Sequence, residues 1–301
     1  MQIIRRNLYK QSDVFKCIHD AHLHFKAHIS PYYILLEKKC YPHGCVYFRW
    51  KCKMLAKQHK CFRNFTKVGK ECFNCRHFYE EKIHQYPEFV EPESKSAEFL
   101  ENFDEFNEWV QELKNRRVQC EGKIYEVKPD FILKKHNQQY HLLITGYLIS
   151  FQEGYIENQF FQDKFYLSIS SSTQKQLIFR PDDELEFKAN LKIDRGRFKF
   201  YKSGGFQFMQ RGTADAVPKP DLYSHPNFTL FTEQPPQCLT CQHGVLVDID
   251  TQEPGPRRTV VCLQGMAEYK DCPIRILENM QEHADHCANS IWNEIRCQHP
   301  L

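Results

Sequence analysis

The hydrophobic and polar positions of this chain change period along its length. From Ala97 to Leu113 the apolar residues Phe99, Leu100, Phe103, Phe106, Val110 and Leu113 recur every three or four positions, with glutamates between them. That spacing gathers them on one stripe and predicts an amphipathic helix. From Arg117 to Gln210 the period falls to two. Val118–Ile132 and Tyr140–Phe151 read as long strands. Lys164–Ser170 alternates, with Phe165, Leu167 and Ile169 on one face and Lys164, Tyr166 and Ser168 on the other. Glu184–Ile193 does the same, with Leu185, Phe187, Ala189, Leu191 and Ile193 inward. Asp194-Arg195-Gly196-Arg197 is a turn, after which Phe198 and Phe200 carry the inward face onto a fifth strand. No helical pattern separates these strands, which suits a small closed barrel.

The flanks are less periodic. Val14–Ile29 has helical texture and carries His19, His22, His24 and His28, which read as surface or satisfied helix residues. Residues 37–86 show no long hydrophobic repeat, and Glu88–Ser96, preceded by Pro87 and containing Pro92, reads as a linker. Five prolines between Pro218 and Pro236 mark a connector. Beyond it, Val245-Leu-Val and Arg258-Thr-Val-Val flank Glu253-Pro-Gly-Pro, a hairpin signal. Leu277, Met280, Ala284, Cys287, Ile291 and Ile295 then form a helical stripe. The expected organisation is an N-terminal helical segment and basic Cys-rich module (1–86), a linker and acidic helix (87–116), a β-barrel (117–212), a Pro-rich connector (213–237), and a second Cys module with a C-terminal helix (238–301).

Composition narrows the class. The chain has 301 residues, 41% of them hydrophobic, enough for real cores in two or three small domains. No run approaches the roughly 18–20 apolar residues needed to span a bilayer. The N-terminus lacks the apolar region of a secretory signal, so the expected location is the cytoplasm and no membrane partner is expected. The net charge of +3 hides an asymmetry. Glu37–Ile83 holds twelve Lys or Arg against four Glu, whereas Glu88–Glu112 holds nine acidic residues against Lys95. The basic block, laced with aromatics, points to a polyanion partner.

Ten of the fourteen cysteines fall in two clusters. In a reducing compartment such clusters favour metal over disulfides. The first holds Cys40, Cys45, Cys52, Cys61, Cys72 and Cys75; the second holds Cys238, Cys241, Cys262 and Cys272. Each contains a Cys-x-x-Cys-x-His run, ending at His77 and at His243. A Cys-x-x-Cys pair turns two thiolates onto one ion, and a second pair closes a tetrahedron. The second cluster supplies four thiols and a hairpin to gather them. In the first, Cys40, Cys45, Cys72 and Cys75 make a ribbon-like set, with Cys52 and Cys61 as alternates. One metal centre per cluster is expected, either zinc or a [4Fe–4S] cluster, since thiolates serve both. Without metal the basic module buries too little apolar surface to hold itself, so metal and folding are coupled there.

The segment Arg180–Phe198, with its turn, acidic residues, alternating strand, glycine turn and second strand, resembles the fourth and fifth strands of OB-folds. The resemblance covers about a third of the chain and rests on pattern. It implies an α+β protein: a central five-stranded OB-like β-barrel with small Cys-rich metal-binding modules before and after it and a C-terminal helix. OB-folds bind single strands by stacking bases on aromatics and tracking phosphates with cations. Tyr147, Lys164, Tyr166, Arg197 and Lys199 on the outward face, with Arg49, Lys51 and Lys53 in the basic module, are the candidate nucleic-acid contacts. The expected function is metal-stabilised binding of RNA or single-stranded DNA. An iron–sulfur electron carrier or accessory factor, and a protein-interaction scaffold, are the alternatives. No P-loop, G-x-S-x-G, H-E-x-x-H, Rossmann glycine run or zinc-deaminase pattern is present in the sequence, so it offers no catalytic motif and leaves open whether the protein is an enzyme.

Overall fold

The computed structural model describes residues 3–11, 13–18, 28–90, 92–136, 139–213, 228–231, 238, 241, 243–250, 258–263, 265–266 and 272. They form two compact units, both mixing helix and strand, and strand is the larger part of the described residues taken together. The first comprises the described residues up to Val118 with 158–163 and 190–199; the second comprises 119–157, 164–189 and the described residues from 200 onward. Among the described residues no helix is long and apolar enough to cross a membrane.

The strands, in chain order, are β1 (Ile4–Arg5), β2 (Phe15–Lys16), β3 (His28–Ile29), β4 (Cys45–Cys52), β5 (Phe78–Gln85), β6 (Glu88–Phe89), β7 (Arg117–His136), β8 (Gln139–Ile156), β9 (Gln159–Phe161), β10 (Phe165–Ile169), β11 (Glu184–Asp194), β12 (Arg197–Gln210), β13 (Thr229–Phe231), β14 (Gly244–Asp250) and β15 (Arg258–Cys262). The α-helices among the described residues are α1 (Lys53–Ala56), α2 (Glu93–Lys114) and α3 (Ser171–Leu177), with a π-helical turn at Tyr32–Glu37 and 3-10 turns at Leu8–Lys10 and Lys70–Cys72.

In the first unit α2 realises the predicted stripe. Phe103, Phe106, Val110 and Leu113 are buried, joined by Trp109. They pack on Tyr9, Phe161 and Phe198: Tyr9 meets Phe106 edge-on at 5.0 Å and Phe161 meets Phe198 at 4.6 Å. The Tyr9 hydroxyl donates to Asn107 Oδ1 at 2.6 Å, and burial raises its phenol pKa well above the ordinary range. The helix begins at Glu93, inside the expected linker, because Pro92 needs no amide partner at a helix start. The Val14–Ile29 segment is not helical where it is described. Phe15–Lys16 and His28–Ile29 are strands, and β2 lies between β3 and β6 with Phe15 opposite both Ile29 and Phe89. Residues 19–27 of that expected helix lie outside the described residues. In the basic module β4 and β5 pair antiparallel along their whole length, from Cys45↔Gln85 to Cys52↔Phe78.

In the second unit five strands close a ring, in the order β7-β8-β10-β12-β11 and back to β7. Its interior is filled by alternate residues: Ile149 and Phe151 from β8, Phe165, Leu167 and Ile169 from β10, Leu185, Phe187 and Ala189 from β11, and Phe200 from β12. Phe151 and Phe165 stack nearly parallel at 4.6 Å. Where no helix was expected, α3 lies between β10 and β11. Ser170 Oγ caps it, accepting from the Thr173 amide at 3.1 Å. Seven residues are too few to display a stripe of helical period. After α3 the chain turns at Asp183, whose fully buried carboxylate accepts from the Arg180 and Gly212 amides at 2.8 Å each. Arg211 Nε stands 3.5 Å from the same carboxylate. The Asp183 carbonyl accepts from the Ile124 amide, so this one turn holds β7, the start of β11 and the end of β12 together.

The β7–β8 hairpin runs beyond the ring, past a register shift at Asp130/Phe131. Gly146 sits at that shift, where a Cβ would collide with the Ile169 carbonyl. On the distal part β14 joins β7 in parallel, with Asp248 opposite Ile132, and β15 and β13 follow. Phe131, Leu133, Val245, Val247, Val261 and Leu263 make a second small core there. The two strands of the predicted hairpin are present as β14 and β15, paired antiparallel with Gly244 opposite Cys262, and its turn, 251–257, lies outside the described residues. The C-terminal helix and nearly all of the Pro-rich connector lie outside the described residues.

Candidate metal centres and nucleic-acid face

The pairing of β4 with β5 decides which thiols meet in the basic module. Cys52 ends β4, opposite Phe78, and Cys75 lies three residues before β5 begins. The intervening loop folds back so that Cys52, Cys61, Cys72 and Cys75 line one cleft, with Leu55, Phe65, Val68 and Phe78 as apolar walls and Arg63 and Lys67 at its edge. The Arg63 amide donates to Cys61 Sγ at 3.4 Å, and the Cys75 amide donates to the Cys72 carbonyl at 2.9 Å, closing the Cys-x-x-Cys turn. The two residues kept as alternates, Cys52 and Cys61, therefore share a cleft with Cys72 and Cys75.

Cys40 and Cys45 are placed elsewhere. They belong to the small core of β2 and β3, with Cys17, Val14, Phe15, Ile29 and Ile34. Burial, then Cys45 and then Cys17 beside it, push the Cys40 thiol up to about 12.

In the second cluster, Cys262 is buried and packs with Cys238, Leu246 and Met266. The His243 amide donates to Cys241 Sγ at 3.4 Å, as Arg63 does to Cys61. Lys128 reaches across from β7 to donate to the Cys241 carbonyl at 2.8 Å. Burial and the Lys128 charge lower the His243 pKa. Cys272 is partly buried. Among the described residues, no group of three or more His, Cys, Asp or Glu side chains is drawn into metal-holding geometry.

The candidate nucleic-acid residues divide by environment. Arg49 and Lys51 occupy one face of β4: Arg49 donates to the Tyr47 hydroxyl at 2.9 Å, and Lys51 pairs with Glu81 at 3.7 Å. Lys53 is exposed on α1. The opposite face of β4 exposes Val46, Phe48 and Trp50, with Phe48 opposite Lys82 and Trp50 edge-on to Phe73 at 4.8 Å. On the ring, Lys164 is exposed and its ammonium lies 5.4 Å from the centre of the exposed Tyr125 ring. Tyr166 is partly exposed on β10. Tyr147 is a correction: expected outward, it is 1% exposed. It stands two residues from Ile149 and four from Phe151, so the strand period puts all three inside. Arg197 and Lys199 are partly buried, and Arg197 is engaged with Asp194 across their turn. Tyr125 and Phe73 were not among the expected contacts, whereas the exposed Phe48 and Trp50 belong to the aromatics of the basic module. The signal for Tyr125 was its place beside Ile124 in the alternation.

No protein-family model matches this chain, and neither the curated proteins nor the solved structures hold a match to it.

Proposed function

We propose that this is a metal-stabilised nucleic-acid-binding protein that engages RNA or single-stranded DNA through an OB-like barrel and a basic Cys-rich ribbon. The observation that carries the reading is the order of the five-stranded ring, with a short helix between its third and fourth strands. That path is the one OB-folds take, and in them the face of the second and third strands receives oligonucleotides. Here those strands are β8 and β10, and Tyr166 and the neighbouring Tyr125–Lys164 pair supply rings and a cation near that face. Exposed rings stack bases and cations follow phosphates without regard to sequence. The Cys52, Cys61, Cys72 and Cys75 set fits one zinc ion or one [4Fe–4S] cluster by its all-thiol chemistry. The Cys238, Cys241, Cys262 and Cys272 set is read the same way.

The test is fluorescence anisotropy with unstructured single-stranded RNA and DNA across a salt series. Binding is expected to weaken steeply as salt rises, because cations that neutralise phosphates release counterions. Tyr125→Ala is expected to reduce affinity while leaving the fold intact. Absence of binding at low salt for both polymers overturns the reading. A brown protein with iron and sulfide would move the metal assignment from zinc to iron–sulfur.

A further inference from the structure

We infer that the exposed apolar face of the β4–β5 ribbon is a base-stacking platform for single-stranded nucleic acid, built from Phe48, Trp50 and Phe73 with Lys82. This rests on the nucleic-acid reading above and deepens it, since the ribbon contacts expected there were Arg49, Lys51 and Lys53. The strand period sorts β4 into two sides. Val46, Phe48 and Trp50 share one side, and the antiparallel pairing sets His84, Lys82 and Glu80 of β5 opposite them in turn. Tyr47, Arg49 and Lys51 share the other side and are half-buried, with Arg49 engaged by the Tyr47 hydroxyl and Lys51 by Glu81. The apolar side is the open one: Phe48 is 57% exposed and Trp50 38%. A strand that turns its rings to solvent and its cations toward internal partners reverses the pattern that burial selects, and exposed apolar surface of this kind marks a binding face.

Phe73 extends the row. It follows Cys72 in the Cys-x-x-Cys turn, which presents it beside β4. Phe73 is 47% exposed, its ring meets Trp50 edge-on at 4.8 Å, and Phe78 packs on it at 5.3 Å. Phe48 and Trp50 stand two residues apart, about 6.8 Å along the strand. That is twice the roughly 3.4 Å step between bases, so each ring has room for a base of its own. Charge selects the occupant. The cores of protein interfaces are depleted in Lys and Glu, whereas here Lys82 and Glu80 stand among the rings. The surrounding segment Glu37–Ile83 carries twelve Lys or Arg against four Glu, which suits a polyanion. Rings take the π-face of any base, and Lys82, exposed opposite Phe48, is placed to follow the phosphate beside it. The platform is therefore tolerant of sequence.

The experiment titrates oligodeoxythymidylate and oligouridylate into the full-length protein, reading the anisotropy of a labelled strand and the tryptophan fluorescence. Stacking on Trp50 should quench part of the wild-type emission. That part should vanish in Trp50→Phe, which keeps a ring and most of the affinity. Phe48→Ala and Trp50→Ala should each weaken binding about 5- to 150-fold, the contribution of one stacked base. Phe48→Ala should leave the urea midpoint unchanged, because that ring already stands in water. Lys82→Gln should lower the slope of log affinity against log salt by about 0.7, the share of one phosphate on a single strand. Glu80→Gln removes a charge that repels phosphate and should tighten binding. If wild type binds while Phe48→Ala and Trp50→Ala bind as well as it does, and quenching is equal in wild type and Trp50→Phe, the platform is refuted. The barrel reading then stands, and this face is left to a protein partner. If wild type binds neither polymer, both readings fall.

Discussion

Replacing Asp183 with asparagine tests the reading of the ring more sharply than any core truncation. The wild-type carboxylate has two oxygens and uses both. Oδ2 accepts from the Arg180 amide and Oδ1 from the Gly212 amide, each at 2.8 Å, with Arg211 beside Oδ1 at 3.5 Å. Asparagine keeps the shape but has a single acceptor. Whichever way its amide turns, an NH2 group faces a buried backbone N–H. One charge-assisted hydrogen bond is lost, worth about 1.5–3 kcal/mol, and an unsatisfied donor is left inside the protein. The surviving bond weakens to a neutral one, and Arg211 loses its counter-charge. The expected cost is about 2–4 kcal/mol. Alanine should cost somewhat more, about 3–5 kcal/mol, because both acceptors are removed and two backbone amides lose their partners. Against a typical total of about 5–15 kcal/mol, either is a large loss. Urea denaturation followed by circular dichroism measures it as a lower midpoint at unchanged slope. An Asp183→Asn protein within about 0.5 kcal/mol of wild type, the range of ordinary surface changes, would refute the claim that this turn clasps three strands.

Three further outcomes follow from the same structure. Phe187→Ala removes a fully buried ring that stacks with Phe151 at 5.8 Å and lies 6.2 Å from Phe200, and should cost about 3–5 kcal/mol in the same assay. Treatment with a strong chelator should speed hydrogen exchange at the amides of β4 and β5 while β10 and β11 stay protected, because the paired strands of the ribbon have little core of their own; equal effects on both would count against the thiol clasp. Burial raises the Cys120 thiol well above its ordinary 9.0, with Glu157 adding to the effect. The folded state therefore holds its proton where the unfolded chain releases it. The associated stability is complete below pH 9.0 and falls as pH rises through the alkaline range. A Cys120→Ala series should show a shallower alkaline decline than wild type, measured as the urea midpoint against pH.

Much of the ring was legible because each of its strands has one face in a core. Phe165, Leu167 and Ile169, and Leu185, Phe187, Ala189 and Leu191, are buried in the phase their alternation predicts. The α2 stripe was legible for the same reason, at helical period. The β4–β5 ribbon was not, because neither of its faces is buried. Val46, Phe48 and Trp50 alternate with Tyr47, Arg49 and Lys51, but the apolar side is the exposed one, so the alternation marks no core. The grouping of the six N-terminal cysteines was hidden by the same gap. Spacing tells which thiols are near in sequence, and the pairing of Cys52 with Phe78 tells which are near in space. α3 was missed because a capped helix of seven residues rests on one serine and its context. Tyr147 was misassigned by residue type, since tyrosine is often partly exposed, although its phase with Ile149 already placed it inside.

Strand β7 borders both the ring and the distal sheet, and this shared membership restricts how the chain can err. A slip of one residue against β8 would turn Val127 out of the first core and Leu133 out of the second at the same moment. Neither half can be misaligned in private. The register shift at Asp130/Phe131 works like a notch in a key, letting both halves seat only when the whole strand is correctly inserted.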